Sequence, residues 1–525
     1  MARRIESLDV SIEELEQLVE SAGRAPLTEE GQRKLKAAVS TLGVLAEMLA
    51  DRDTTIQKLR ELLLPTLTSE KTRKVLDGAA AGKKPSKPAA SRKKGHGRKP
   101  STAYVGARHV SVAHPALQRA DVCPECRKGK VYPLDRPQRR VRIIGQAPVE
   151  ATVYDLQALR CNLCGEVFPA PAPAGVGADK YDASAVSMIA LLKYGSGMPF
   201  HRFQWLESQL GIPLAAATQW ELVWEAAVKL EPVWEELLRQ AAQGRLFHND
   251  DTSMRILRFR REAGDARTGL FTSGIVSVLE GHRIAVFMTG RQHAGENLAD
   301  LLRRRAAELG PPIQMCDALS RNAPASLRVI LANCLAHARR HFVDVVKNFP
   351  SECRYVLETL REVFHFDALA REQALTSEQR LRFHQEHSQP PMERLLAWCH
   401  SQFDEHRVEP NSGLGKAIQY LLNHWQKLTL FLREPGAPLE NNVCERALKK
   451  AILHRKNALF YRTQNGAKVG DLFMSLIHTA ELGGIHPFDY LTGLLRQDPG
   501  ELNSEPARWM PWSYRATLAQ SGMAA

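Results

Sequence analysis

The chain has 525 residues, too many for one compact hydrophobic core, so several domains are expected. Its apolar content of 44 % is that of a globular protein, and no apolar run approaches the roughly 20 residues that a membrane-spanning helix needs. The net charge of +13 is concentrated: residues 71–100 carry eleven Lys/Arg residues against Asp77 alone, a block suited to a polyanion such as nucleic acid. The opening MARRIESLDV is interrupted by acids and reads as no secretory signal. Nine cysteines, two CxxC pairs and five singles, fit a reducing compartment, so a cytoplasmic, nucleoid-associated protein is expected.

In chain order, the first segment (1–66) carries a seven-residue repeat. Leu35, Leu42, Leu49, Ile56 and Leu63 fall seven apart, and Ala38, Leu45, Arg52 and Leu59 follow the first four by three. Such an a/d seam, opened near Thr28 and stopped by Pro65, predicts a coiled coil and a homodimer or higher oligomer. Residues 67–103 read as a basic flexible linker. In it, Gly97-Arg98-Lys99-Pro100 resembles segments that lie in narrow A/T minor grooves, but plain phosphate contact by Arg98 and Lys99 is the preferred role.

Segment 104–172 holds Cys123-x-x-Cys126 and Cys161-x-x-Cys164 around strand-like stretches, VRIIGQ and ATVYDLQALRC. Two thiolate pairs on short turns predict a zinc ribbon. Four protein thiolates leave no open position for a substrate, so that Zn²⁺ would be structural. Residues 173–243 read as helical, with Leu206–Leu210, a turn at Gly211-Ile-Pro, and Ala215–Leu230. A DNA-binding helix-turn-helix and an ordinary helical packing unit both fit that pattern.

The chemistry-bearing residues begin at RLFHNDDTSMRIL, residues 245–257, which reads as a strand. Alternation puts His248, Asp250 and Thr252 on one face and Asn249 and Asp251 on the other. Two strands in GLFTSGIVSVLEGHRIAVFMTG, a helix over Gly295–Glu308 and a strand over Pro312–Asp317 follow. This β-β-β-α-β order, with acids on its first and fourth strands, is that of an RNase H-like domain. The core is expected over 244–346 and 433–482, with a helical insertion at 347–432 and a C-terminal helix and tail at 483–525.

A third acid comes from PLENNVCERALKKAILHRKNALF, read as a helix. Asn441, Glu445 and Leu448/Lys449 share one face by their spacing, so Glu445 can point at the sheet while Arg446, Lys450, Arg455 and Lys456 offer phosphate contacts. Glu440 competes for the role, but a carboxylate at a helix start is equally explained as a dipole partner. Asp250, Asp317 and Glu445 together suit two Mg²⁺ (or Mn²⁺) ions, Asp250 bridging both. Cys334-x-x-His337 looks like half a zinc site without a second half in the sequence nearby, so a structural or supporting role is expected.

HNDDTSMRIL, IQMCDAL, CLAHARRHF and ENNVCERALKKAILHRKNALF resemble motifs of the insertion-sequence-66 family of DDE transposases. The resemblance extends to the zipper-like start, the GRKP segment, the ribbon, and IHTAELGGIHPFDYL and WMPW near the C-terminus. It implies an RNase H-like core that cleaves and joins double-stranded DNA at element ends, with Asp250, Asp317 and Glu445 as its acids. Small accessory proteins of the same element are a further implied partner. The family's usual Glu stands here as Asp251 and its usual Asp as Glu440; both swaps keep a carboxylate. A catalytically inactive DNA-binding repressor or architectural protein, and a nuclease that cuts without joining, are the competing functions. The fold expected is multidomain α+β: coiled-coil helix, zinc ribbon, helical DNA-binding region, and RNase H-like catalytic domain with a helical insertion.

Overall fold

The computed structural model describes residues 115–132, 147–160, 167–173, 179–260, 267–323 and 328–520, with 72 and 176 as isolated positions. The chain divides into two compact units, Met1–Val75 and Leu76–Ala525, and the elements below belong to the second. The heptad segment, the linker with Arg98 and Lys99 (Thr72 apart), and Cys161 and Cys164 lie outside the described residues.

Of the expected ribbon, the structure describes the first turn and one hairpin. Cys123 N donates to Gly129 O at 2.7 Å and Arg127 N to Cys123 O at 2.8 Å, folding Cys123–Cys126 into a tight knuckle. The Gly129 amide reaches Cys126 Sγ at 3.5 Å, and this bond, with others from the Lys128 backbone and Cys123, holds the Cys126 thiol below its usual range. Strands β1 (Ala158–Arg160) and β2 (Val167–Pro169) pair antiparallel on either side of the second cysteine pair. ATVYDLQALRC is therefore strand only over its last residues.

Helices follow as the pattern predicts. α1 (Ala183–Ala190) is capped by Asp182, whose carboxylate accepts from Ala185 N at 3.0 Å, and runs on into a π turn at Leu191–Gly195. α2 (Phe200–Gln209) and α3 (Ala216–Ala242) flank the predicted turn at Gly211, whose φ of +79° suits glycine. α3 is much longer than a recognition helix needs. Val223, Ala226, Leu230, Val233, Leu237 and Ala241 form one buried stripe along it, so much of α3 is a core element.

The main sheet contains β3 (Leu246–Ser253), β5 (Phe271–Leu279), β6 (His282–Gly290), β7 (Ile313–Cys316) and β8 (Ile330–Asn333). Its order is β6-β5-β3-β7-β8, with β5 antiparallel to both neighbours and β3, β7 and β8 parallel. The short β4 (Ile256–Arg258) leaves this sheet to pair with β9 (Tyr461–Thr463). Between β6 and β7, α4 spans Ala294–Leu302, shorter than the expected helix to Glu308. The chain leaves the helix because Arg305 turns back, its guanidinium donating to the carbonyls of Ala242 at 2.9 Å and Gly244 at 2.7 Å. Those two bonds satisfy the C-terminal end of α3.

After β8 come α5 (Leu335–Val345), α6 (Pro350–Glu372), α7 (Ser377–His387), α8 (Gln389–Asp404) and α9 (Gly413–Leu428), then α10 (Asn442–Ala458) and α11 (Gln464–Leu482). The expected helical insertion is thus α6–α9. α11 closes the free edge of β6 with side chains one helical turn apart. Thr479 Oγ1 accepts from Ala285 N at 3.0 Å, Ser475 Oγ from Phe287 N at 3.0 Å and Asp471 from Thr289 N at 2.7 Å. An edge strand whose amides are capped this way offers no template to a second chain. The C-terminal region is α12 (Pro487–Leu495), α13 (Pro499–Ser504) and α14 (Tyr514–Gln520) rather than one helix and a tail. Trp509 and Met510 are buried, and Tyr490 Oη donates to Trp509 O at 2.8 Å, so this end belongs to the core.

Candidate active site

A strand can serve two helices at once because its side chains alternate, and β3 does so. On one face Asn249 Nδ2 donates to Asn322 O at 2.8 Å, and Asp251 accepts from His293 Nδ1 at 2.7 Å at the start of α4. On the other, His248 Nδ1 meets Asn441 Oδ1 at 3.1 Å and Thr252 Oγ1 accepts from Arg455 at 2.9 Å, both partners belonging to α10 or its cap. Asp250 lies between His248 and Thr252 and shares their face.

α10 reaches the sheet through a gap at Gly274, the residue opposite Asp250 on β5. A Cβ there would lie 3.0 Å from the Leu448 side chain and 3.6 Å from Cys444 Sγ. Cys444 Sγ donates to Gly274 O at 3.1 Å. Asn441 fastens the start of α10: its Nδ2 donates to Asn249 O at 3.1 Å and its backbone N to Cys334 Sγ at 3.2 Å. Glu445, one turn in, is therefore carried to the sheet.

Asp317 stands directly after β7, beside β3. Asn322 joins the two aspartates, its Nδ2 donating to Asp317 Oδ1 at 2.5 Å and Asp250 Oδ1 at 3.4 Å. The Asn322 carbonyl is held in turn by Asn249 and by Gln314 Nε2 at 2.6 Å, so a buried amide network positions this link. Burial, and then the charges of Asp317, Asp251 and Glu445, push the Asp250 carboxyl up to about 7, against one lowering bond from the Asp251 amide. Glu445 Oε1 lies 3.7 Å from His337 Nε2.

The structure thus brings Asp317 and Glu445 within electrostatic reach of Asp250, and it turns Glu440 elsewhere. Burial raises Glu440, a bond from Asn442 lowers it, and the charges acting on it are those of Arg371, Asp367 and Arg446. Asp251 is committed to His293 and, at 3.4 Å, to Arg321. Of the α10 cations, Lys450 pairs with Glu481 at 2.7 Å, and Arg455 ties α10 to Thr252 and Ser253. Arg446 and Lys456 are exposed.

Sequence reasoning missed Asn322, His293 and Tyr420. Tyr420, from α9, has its phenol pushed up to about 12 by burial and then by Asp317, so the helical insertion touches the site. Burial also pushes the Cys334 thiol up to about 12. In a half-buried, all-oxygen set whose carboxylates repel one another, the charge of a hard divalent cation would relieve that repulsion. Asp250, Asp317 and Glu445 fit such ions on this ground.

The profile of the family described as "Transposase IS66 family" matches residues 180–469, which contain all three acids. Three proteins of Sinorhizobium fredii (strain NBRC 101917 / NGR234) are similar to the chain. Uncharacterized protein y4jD is 34 % identical over 198 residues, 37 % of this chain and 38 % of that protein, well under two thirds of its length. Uncharacterized protein y4hP is 24 % identical over 390 residues, 70 % of this chain and 68 % of that protein. For uncharacterized protein y4qI the figures are 23 % over 343 residues, 63 % and 62 %.

Proposed function

This chain belongs to the IS66 transposase family, and on that premise we propose that it is a DNA transposase whose cutting site is Asp250, Asp317 and Glu445. The observation that carries the reading is the approach of Asp317, at the end of β7, and Glu445, from α10, to Asp250 on the neighbouring β3, with no basic side chain among the chief influences on Asp250 in the described residues. The sheet order, with β5 alone running against the rest, supports an RNase H-like core.

Two Mg²⁺ or Mn²⁺ ions held by these acids would activate the attacking oxygen and offset charge on the leaving oxygen of an in-line displacement. The chain's own residues do the positioning. Asn322 keeps an oxygen of Asp250 and one of Asp317 turned toward each other, and Asn441 fixes the helix that presents Glu445. Arg446 and Lys456 are offered to the phosphate backbone, where cations set affinity without reading sequence. The basic block at 71–100 would add salt-sensitive contacts, the four ribbon cysteines would hold structural zinc, and the heptads would pair two chains for two DNA ends.

The test is cleavage of a duplex carrying the DNA that flanks this gene. Cutting should require Mg²⁺ or Mn²⁺, disappear in Glu445→Gln and persist in Glu440→Gln. The reverse pattern would assign the wrong acid. Pre-cut ends should then join to target DNA; failure to join would leave a nuclease.

A further inference from the structure

Cys334-x-x-His337 has no second ligand pair nearby in the sequence, and the fold supplies a third ligand from α10. Among the described residues, the one set of three His, Cys, Asp or Glu ligand atoms lying within 4.8 Å of one another is Cys334, His337 and Glu445. The three sit on rigid elements. Cys334 caps α5, with its amide on Cys316 O at 2.9 Å, and His337 lies in the first turn of α5. Glu445 lies in the first turn of α10. Cys334 is wholly buried, and Glu445 and His337 keep 13 % and 25 % of their side-chain surface, enough for an ion to enter from solvent.

Packing explains Cys334, whose sulfur accepts the Asn441 amide, but it leaves His337 unexplained. His337 Nδ1 is buried without a hydrogen-bond partner, and Nε2 stands 3.7 Å from a carboxylate, beyond a normal bond. One thiol, one imidazole and one carboxylate form a borderline-soft set. That set suits zinc, whereas Mg²⁺ takes oxygen ligands. Zinc–ligand bonds of about 2.0–2.3 Å set neighbouring ligands roughly 3.3–3.8 Å apart in a tetrahedron, so closure takes about 1 Å of side-chain adjustment.

We propose that Cys334, His337 and Glu445 form a zinc site that withdraws Glu445 from the carboxylate triad and so switches DNA cutting off. Zinc binding stands on the geometry alone; the switch rests on the transposase reading above. Three protein ligands leave the fourth position to water. Because Glu445 cannot serve both sites fully, Zn²⁺ and the catalytic divalent ions compete for it.

The experiment has two arms, both on the full chain. In the first, equilibrium dialysis against buffered Zn²⁺ without DNA counts bound zinc. Wild type should hold one equivalent more than His337→Ala or Cys334→Ser, Glu445→Gln should bind that equivalent at least about tenfold more weakly, and His337→Cys should restore it. Equal zinc content and affinity in wild type and His337→Ala overturns the site. In the second arm, added Zn²⁺ is titrated into Mg²⁺-dependent cleavage, each variant being read against its own zinc-free rate. Half-inhibition should need at least about tenfold more zinc in His337→Ala. Loss of the equivalent with unchanged inhibition overturns the switch and leaves the site standing. If no variant cleaves DNA under any divalent ion, the transposase reading fails and dialysis alone decides the zinc site.

Discussion

Burial disfavours the charge of two aspartates, and this fold treats them in opposite ways. Asp367, on α6, has burial working against its charge. Even so, the hydrogen bond from His384, with Arg380 at 2.6 Å and Arg371 at 2.7 Å, holds its carboxyl down at about 2. Asp250, on β3, has burial and three further acids on the same side of the balance, and its carboxyl rises to about 7. Where a buried charge serves packing, the chain supplies its own cations. At Asp250 the chief influences among the described residues are acids, and in the proposed site a cation from outside would restore the balance.

The largest effect should come from removing the unneutralised charge. Asp250→Asn or Asp317→Asn should lower DNA cleavage by at least about 10³-fold, the several kcal/mol that metal-held charge stabilisation supplies. Gel-shift binding to the same DNA should stay near wild type. If Asp367→Asn lowered single-turnover cleavage as much while folded, the contrast between the two aspartates would break.

Next in size is the loss of the paired charge. Asp367→Asn leaves Arg380 and His384 without their carboxylate, and urea unfolding should show a loss of about 3 kcal/mol. A change under about 0.5 kcal/mol would mean the cluster is no more than a surface network.

The pH dependence sharpens the comparison, because the two groups act with opposite signs. Asp367 is depressed, so its stabilisation is present above about pH 4 and is lost as pH falls toward 2. Asp250 is raised: folded protein without metal keeps a proton that the unfolded chain releases, so stability falls as pH climbs from about 4 to 7. Asp471 is also raised to about 7 by burial, so the measurement is the difference between wild type and Asp250→Asn in metal-chelated buffer. That difference should grow over this window to a few kcal/mol. A flat difference would show that Asp250 is solvated after all.

The smallest effect concerns positioning. Gly274→Ala places a methyl 3.0 Å from Leu448, so α10 must shift by a few tenths of an ångström. Cleavage should fall roughly tenfold, less than for any ligand loss, with little change in DNA binding.

Much of this contrast was legible in the sequence where a period exists to be read. A strand has two faces, so the placement of Asp250 with His248 and Thr252, opposite Asn249 and Asp251, followed from counting alone. Helical spacing set Glu445 on the Asn441 face, but it could not choose between Glu445 and Glu440. In the structure Glu440 bonds to Asn442 beside it and feels the charges of Arg371 and Asp367, which stand on a helix far away in sequence. Asn322 sits in the three-residue 3₁₀ turn Ser320–Asn322, which is too short for any pattern, so the amide joining the two aspartates left no signal. α4 ends short of Glu308 because Arg305 bonds to the close of α3, a tertiary contact that overrides local helix preference. Tyr420 and His337 reach the site only through the packing of α9 and α5, which composition does not encode.

The most direct test of the central claim is calorimetric titration of Mn²⁺ into metal-free protein at pH 7.5, comparing wild type, Asp250→Asn and Asp367→Asn. The account predicts that Asp250→Asn binds Mn²⁺ at least about tenfold more weakly while Asp367→Asn binds as wild type does. Equal Mn²⁺ binding by wild type and Asp250→Asn would contradict it, since the charge left unneutralised on β3 would then not be what holds the ion.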